Sequence, residues 1–196
     1  MNKNLNLLFI KILLLLTIQF GFSQNNNIEK SIFEVETGLF GVWFNNETKL
    51  TNNIALKSEI GLEANIWDGK YYDKTGFSLT PTITVEPRLY YNLTKRASKG
   101  RNVDNNSANF LSLNATYRPN WFVISNYNVK TINQLSVIPK WGIKRNFGKS
   151  NFNYEFDFGL GYSFYFLEKN GKKSNESGLS VDIDFRFGYT FKKEKK

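Results

Sequence analysis

The 196-residue chain contains neither cysteine nor histidine. Without cysteine no disulfide can stabilise it, so its stability has to come from hydrogen bonding and packing. Without histidine, catalytic triads built on an imidazole and histidine-ligated zinc sites are excluded. Long apolar runs are also scarce. The one extended run, residues 7–22, is interrupted by Lys11 and is shorter than the roughly 20 residues that a membrane-spanning helix needs.

This N-terminal run has the pattern of an export signal. Lys3 precedes it, and it ends at Gly21 and Ser23, small residues that lie three and one positions before Gln24. Signal peptidases accept this arrangement. We therefore expect residues 1–23 to be a cleaved signal peptide and residues 24–30 a short N-terminal segment of the mature chain.

The rest of the chain alternates apolar and polar residues with a period of two. In the last such segment the odd-numbered residues from Leu179 to Phe191 are apolar, whereas Asp182, Asp184 and Arg186 lie between them. A period of two places successive side chains on opposite faces of a strand. Comparable segments cover residues 54–66, 77–91, 111–121, 135–147 and 152–166. Strands with one apolar and one polar face are typical of a barrel with lipid outside and a polar interior.

The strand count depends on residues 31–50, a stretch about twice as long as a spanning strand. Its phase slips, because Phe33 and Val35 are odd-numbered apolar residues whereas Val42 and Phe44 are even-numbered. A tight reversal around residues 38–41 gives eight strands, and one long strand with a bulge gives seven. Single-chain bacterial barrels have even strand numbers. The sequence thus predicts an all-β fold, an antiparallel up-and-down transmembrane β-barrel of eight strands over residues 31–191, followed by a basic tail at 192–196.

Two features fit this topology less well. The connection 94–107 is long for a periplasmic turn, and four prolines fall within predicted strands, where each removes a ladder hydrogen bond. Bulges or strand extensions are expected at Pro81, Pro87, Pro119 and Pro139.

Charged residues recur on the polar, inward faces of the predicted strands. The candidates for a network in the barrel lumen are Lys57, Glu59, Glu63, Glu86, Arg88, Arg118, Lys140, Lys144, Glu155, Asp157, Asp182, Asp184 and Arg186. Seven acids and six bases form a nearly balanced set, which favours a packed salt-bridge network over acid–base catalysis. Gly159 and Gly161 lie within a strand, so they make room for bulky neighbours and do not form a nucleotide-binding loop. We expect no catalytic site, metal or cofactor.

Aromatic and basic residues point to the surroundings of the barrel. Tryptophan favours the headgroup level of a membrane, and we expect this position for Trp43, Trp67, Trp121 and Trp141. Basic residues cluster at 95–101, 169–173 and 192–196. Solvated loops are the preferred interpretation of these clusters, and contact with anionic lipid headgroups or lipopolysaccharide phosphates is the alternative. Nucleic-acid binding has no supporting motif.

The signal ending at Ser23, the alternating strands and the aromatic closing strand together resemble small outer-membrane β-barrel proteins of Gram-negative bacteria, of the OmpA/OmpX type. The resemblance covers residues 31–191. It implies insertion by the barrel-assembly machinery, with Phe187, Tyr189 and Phe191 as the assembly signal. The family commonly stops at the terminal aromatic residue, whereas here Lys192 to Lys196 follow.

The functional prediction is a non-enzymatic outer-membrane barrel with a packed polar interior, which stabilises the envelope or presents loops. The oligomeric state is left open, and a monomer is favoured. Its partners would be outer-membrane lipid, lipopolysaccharide and the assembly machinery, without nucleic acid. The alternative is a narrow pore or a small-ligand-binding barrel, either in the membrane or soluble and lipocalin-like.

Overall fold

The computed structural model describes residues 27–68, 74–169 and 172–191. The predicted signal peptide and the basic tail lie outside these residues. The strands are β1 (Ser31–Gly38), β2 (Gly41–Lys49), β3 (Ile54–Trp67), β4 (Gly76–Tyr90), β5 (Asn109–Arg118), β6 (Ile124–Ser125), β7 (Asn133–Asn146), β8 (Phe152–Lys169) and β9 (Lys172–Phe191). Between β4 and β5 lie a short helix α1 (Leu93–Ala97) and a 3-10 helix (Asp104–Asn106).

Eight of these strands form one closed antiparallel ring. Each pairs with the next along the chain, and β9 pairs with β1 from Phe33 opposite Phe191 to Gly38 opposite Arg186. The two-residue strand β6 lies beside β4. The predicted all-β fold with eight strands in a barrel-like ring is therefore confirmed, and its embedding in lipid stays a prediction.

The reversal predicted at residues 38–41 is a tight hairpin. Gly38 and Gly41 are paired, so Leu39 and Phe40 alone form the turn. A side chain at position 41 would place its Cβ 2.4 Å from the Leu62 carbonyl oxygen, so only glycine allows this close approach. The single bulged strand is excluded, because β1 and β2 pair over their whole length.

The bulges expected at the prolines are absent where the ladders can be compared. Pairing is interrupted at Pro87 between β4 and β5 and at Pro139 between β7 and β8, and the register is the same on both sides of each gap. Pro81 lies where β4 has no β5 partner, and Pro119 follows the last residue of β5. At Pro87 and Pro139 the missing amide therefore interrupts local pairing without shifting a strand.

The ring has two different ends. The hairpin end carries the turn at 39–40, the connection at 119–132 and the adjoining ends of β3 with β4 and of β8 with β9. The terminal end carries residue 27, Phe191 and the connections at 50–53, 91–108 and 147–151. No helix in the described part of the chain is long and apolar enough to cross a membrane.

Burial is inverted relative to a water-soluble domain. Among the described residues 26 polar or charged residues are buried, against nine hydrophobic ones. Conversely, 32 large hydrophobic residues are exposed, including the whole apolar row of β9 from Leu179 to Phe191. The polar faces of the strands thus form the core, and the apolar faces form the outer surface.

Candidate functional site

All thirteen charged residues predicted for the lumen lie inside the ring, and each takes part in at least one ion pair. Nine of them are buried. The other four, Glu63, Arg118, Asp182 and Asp184, are half-buried and lie toward the hairpin end. We call the buried charges the charge layer.

Arg88 lies at the centre of the charge layer. Its guanidinium donates to both carboxylate oxygens of Glu155, at 2.7 and 2.6 Å, and through Nε to Glu86 at 3.0 Å. A two-pronged pair of this kind is the strongest geometry available to arginine and a carboxylate. β4 and β8, which are not neighbours in the ring, are thereby joined across the interior.

The buried lysines each hold more than one carboxylate. The Lys57 ammonium lies 2.8 Å from Glu36, 3.2 Å from Glu59 and 3.6 Å from Glu155. The Lys144 ammonium lies 2.6 Å from Glu34. Because charges this deeply buried are costly when unpaired, shared cations allow closely packed carboxylates to remain in the interior.

Three acids of the charge layer are not among the residues predicted for the lumen. Glu34, Glu36 and Glu47 are at most 1% exposed, and all three lie on the first hairpin. The interior therefore holds ten acids (the predicted seven and these three) against six bases, and the predicted near-balance is wrong. Glu34 and Glu36 alternate with the apolar Phe33 and Val35, so the period of two carries a signal for their inward position.

Trp43 is a second correction. It was expected at a membrane interface, but its side chain is 5% exposed inside the ring, with the Arg186 guanidinium 3.9 Å from its ring centre. A Cβ at Gly61 would lie 2.1 Å from the indole, so the tryptophan fits only beside this glycine. Arg186 also binds Glu59 at 2.8 Å, which places the stacked pair at the edge of the charge layer.

The long connection 91–108 closes the terminal end. Leu93 and Ala108 of this connection pack with Ile28, which precedes β1, and with Ala55, Tyr90 and Phe110 of the ring. We call these six residues the end plug. The Arg88 guanidinium lies 4.3 Å from the Phe110 ring centre, so the end plug covers the charge layer directly. This connection is longer than a simple turn because it also closes the terminal end of the ring.

Asparagines hold the end plug in place. Asn105 and Asn106 adopt left-handed backbone conformations, with φ of 50° and 59°, which this residue type tolerates best after glycine. The Asn106 side chain accepts a hydrogen bond from the Glu29 backbone at 2.8 Å and donates to Glu47 at 2.5 Å. The connection is therefore fastened both to the start of the chain and to the charge layer.

At the hairpin end, none of the described residues forms a plug like that at the terminal end. A cavity of about 610 Å³, which we call the vestibule, is lined by the four half-buried charges and by hydroxyl side chains of β4 and β5 such as Thr82 and Thr116. Across it Arg118 donates to Glu63 at 2.6 and 3.0 Å. The vestibule ends at Trp43 and Lys140, where the charge layer begins.

Three carboxylates come together at the floor of the vestibule. Asp157, Asp182 and Asp184 each have an oxygen within 4.8 Å of the others, a spacing that suits a metal ion. The Lys140 ammonium lies 2.9 Å from both Asp157 and Asp182, and it supplies positive charge at this place. The cluster is therefore explained within the ion-pair network.

The remaining predicted residues lie on the surface or in the wall. Phe187, Tyr189 and Phe191 are 49%, 39% and 50% exposed on the outer face of β9, and their role in assembly stays a prediction. A Cβ at Gly159 or Gly161 would come within 2.3 Å of a backbone oxygen of β7. Glycine is needed at both positions because the backbones of β7 and β8 approach closely there.

The other three tryptophans differ in position. Trp121 is 67% exposed near the hairpin end, and Trp67 closes the last pair of β3 with β4 at the same end. Trp141 lies toward the terminal end and donates to the Tyr91 hydroxyl at 2.8 Å. Trp121 and Trp141 thus lie near the two ends of the outer surface, whereas Trp67 has the inward phase of Glu63 and lies against Gly76.

Comparison with known proteins adds no assignment. No family model matches the chain, and no curated protein or solved structure matches it either.

Proposed function

We propose that this chain is a non-enzymatic β-barrel protein of a Gram-negative outer membrane, closed to solutes, which stabilises the envelope or presents its hairpin-end loops. The inverted burial carries the proposal. A ring with 26 buried polar residues and 32 exposed large hydrophobic residues has its apolar surface where lipid would lie. A soluble lipocalin-like barrel needs the opposite arrangement, because water would contact this apolar surface.

Strand lengths support the same environment. The shortest ring strands, β1 and β2, have 8 and 9 residues, close to the roughly 9–11 residues with which tilted strands cross a bilayer. β8 and β9 have 18 and 20 residues and would extend well beyond it at the hairpin end. Because these strand extensions lie at the hairpin end and both described chain ends lie at the other, we assign the hairpin end to the outside and the terminal end, with its longer connection 91–108, to the periplasm.

The interior supports a closed barrel in preference to a pore. Lys57, Arg88, Lys144 and Glu155 are at most 1% exposed, and the end plug covers them from the terminal side. An ion crossing the ring would have to break several of these pairs at once. We therefore infer that the barrel carries no current, and that lipid, lipopolysaccharide and the barrel-assembly machinery are its partners.

Cell fractionation with heat-modifiability tests the location. The protein should sediment with outer membranes, and the unheated form should migrate differently from the boiled form in detergent gels, because a closed barrel resists the detergent. Recovery in the soluble periplasmic fraction would overturn the proposal.

Conductance separates the closed barrel from the pore. The purified protein should give no channel current in planar bilayers, and neither should the variants Glu86→Ala and Arg118→Ala. A steady current that either substitution alters would instead show a pore lined by these residues.

The vestibule favours a second candidate function, the binding of a small polar ligand. Its volume of about 610 Å³ lies within the usual range of ligand pockets, roughly 300–1,000 Å³. Its walls offer both hydroxyl groups and charges, so a polar or zwitterionic molecule would suit it. Thermal-shift screening with such compounds tests this function: a hit that is lost in Arg118→Ala supports it, and a hit unaffected by the substitution places binding elsewhere.

A further inference from the structure

A basic cleft lies on the terminal end, outside the ring. It has a volume of about 540 Å³ and is lined by Tyr91, Asn92, Lys95, Arg96, Lys99 and Arg101. No acid lines it, although the connection 91–108 contains one, Asp104. None of its four cations forms an ion pair with a described residue. This absence contrasts with the interior, where every cation of the network is paired.

The fold holds this positive charge together. Arg96 donates through Nε to the Ser107 carbonyl at 2.8 Å and through Nη2 to the Asn102 carbonyl at 3.0 Å. Its guanidinium thereby joins three separate points of the connection 91–108. Burial and the nearby Arg101 lower the pKa of Arg96. Lys95, Lys99 and Arg101 are exposed around it. Like charges gathered without a counter-charge attract an anion.

Tyr91 adds a directional hydrogen-bond donor. Its hydroxyl oxygen accepts from Trp141 Nε1 at 2.8 Å and from Asn109 Nδ2 at 3.1 Å. Both acceptor positions of the oxygen are therefore used, and its own proton is left to donate. The side chain is 49% exposed and lines the cleft, so an acceptor group in the cleft can take this proton.

The cleft adjoins the apolar outer surface. Trp141 pairs with Leu111, which is 48% exposed, and Leu111 pairs in turn with Leu89. A ligand whose anionic group fills the cleft could therefore lay apolar chains along this wall. Tyrosine and tryptophan at such a boundary are typical of the headgroup level of a membrane.

We propose that this cleft binds the phosphate of a phospholipid headgroup in the periplasmic leaflet, with Lys95, Lys99 and Arg101 as charge partners and the Tyr91 hydroxyl as donor. The proposal rests on the membrane location proposed above. A phosphodiester offers several acceptor oxygens and one negative charge, which suits a site lined by four cations and no acid. The acyl chains favour a lipid over free phosphate as its source.

The test uses the full mature chain, refolded in non-ionic detergent, and dioleoyl phosphatidylglycerol as the probe, with retained lipid measured by native mass spectrometry. The variant Lys95→Gln, Lys99→Gln, Arg101→Gln should bind this lipid on the order of 100-fold more weakly, since each basic residue near an anionic lipid contributes about fivefold. The matched control Lys30→Gln, Lys49→Gln, Lys149→Gln removes the same charge at the same end but outside the cleft. It should bind like the unchanged protein.

Three results would overturn the proposal. Equal retention by all three proteins would show that the cleft does not select the lipid. Equal weakening in both variants would show a general charge effect. Displacement of the lipid by micromolar inorganic phosphate would assign the cleft to the free ion. Heat-modifiability of each variant shows that it is folded, and outer-membrane fractionation of the unchanged chain tests the proposed location separately.

Discussion

The two halves of the barrel interior are built from the same kinds of residue, yet they differ in their access to water. Toward the terminal end, Arg88 and Glu155 are each 1% exposed beneath the end plug. Toward the hairpin end, Arg118 and Glu63 form a similar two-pronged pair whose side chains are 26% and 27% exposed. The two pairs have similar chemistry but different exposure to water. We therefore expect the stability of the fold to depend on each pair according to how the nearby end of the barrel is closed.

The energetic difference follows from solvation. When one partner of a pair in the charge layer is removed, the other charge stays buried with no water to replace its partner. In the vestibule, water can enter and solvate the remaining charge. The following substitutions test this contrast, with the largest expected effect first.

Arg88→Ala should lower the free energy of unfolding by about 3–5 kcal/mol, because it leaves Glu86 and Glu155 without their main counter-charge. Urea unfolding in detergent micelles, followed by tryptophan fluorescence, measures the loss. The double variant Arg88→Ala, Glu155→Gln should recover part of this lost stability, since a neutral amide replaces one buried carboxylate that has lost its main partner. A loss below about 1 kcal/mol for the single variant would show that water reaches the charge layer.

Gly61→Val should cost about 1–3 kcal/mol by overpacking the boundary between the two halves. The added Cβ would lie 2.1 Å from the Trp43 indole and 2.7 Å from the Val42 carbonyl oxygen. Gly178→Ala is the control, because nothing lies within 4 Å of its added Cβ, and its effect should stay within about 0.5 kcal/mol. If both variants unfold alike, Trp43 is free to move and the floor of the vestibule is not rigid.

Hydrogen exchange should divide the β8–β9 hairpin along its length. Amides of residues 164–167 and 174–177, beyond the vestibule, should exchange at least about tenfold faster than those of residues 153–158, a difference of about 1.4 kcal/mol in opening free energy. The physical reason is burial: Asn153, Glu155 and Asp157 point into the charge layer, whereas residues 174–177 are exposed on both faces. Exchange mass spectrometry compares the segments within one protein, and uniform protection would contradict the two-region description.

Arg118→Ala should have the smallest effect, about 1 kcal/mol or less, because Glu63 and Ser136, its partners, lie where water can replace it. The same urea titration measures it, and Glu63→Gln should give a similar value. A loss as large as that of Arg88→Ala would mean that the vestibule is dry and that the two halves are equivalent.

Alternation predicted the parts of this molecule in which local sequence decides the side-chain direction. The inward placement of Asp182, Asp184 and Arg186 and the turn at residues 38–41 follow from period and phase alone. Trp43 is inward for the same reason, since Val42 and Phe44 face outward. The preference of tryptophan for interfaces was given more weight than the phase, and the expected position was therefore wrong.

The end plug could not be predicted, because nothing in residues 91–108 repeats with a period. Its place in the ring depends on contacts distant in sequence, such as that of Asn106 with Glu47, 59 positions apart. Local propensity carries no information on which opening a connection will cover. The excess of acids in the interior is a different case. The inward residues of the first hairpin follow from alternation once its two strands are recognised.

The pairing of β1 with β9 has a consequence for how the protein folds. The Glu34 carboxylate on the first strand accepts hydrogen bonds from Asn153 at 2.9 Å and from Thr190 at 2.7 Å, the latter 156 positions away. Until the last strand has been added, this acid has no complete set of donors and the ring has two open edges. Contacts of such long range form late and slowly. The chain should therefore close in a single concerted step at the end of assembly, and a copy truncated before β9 should not reach a stable partial barrel.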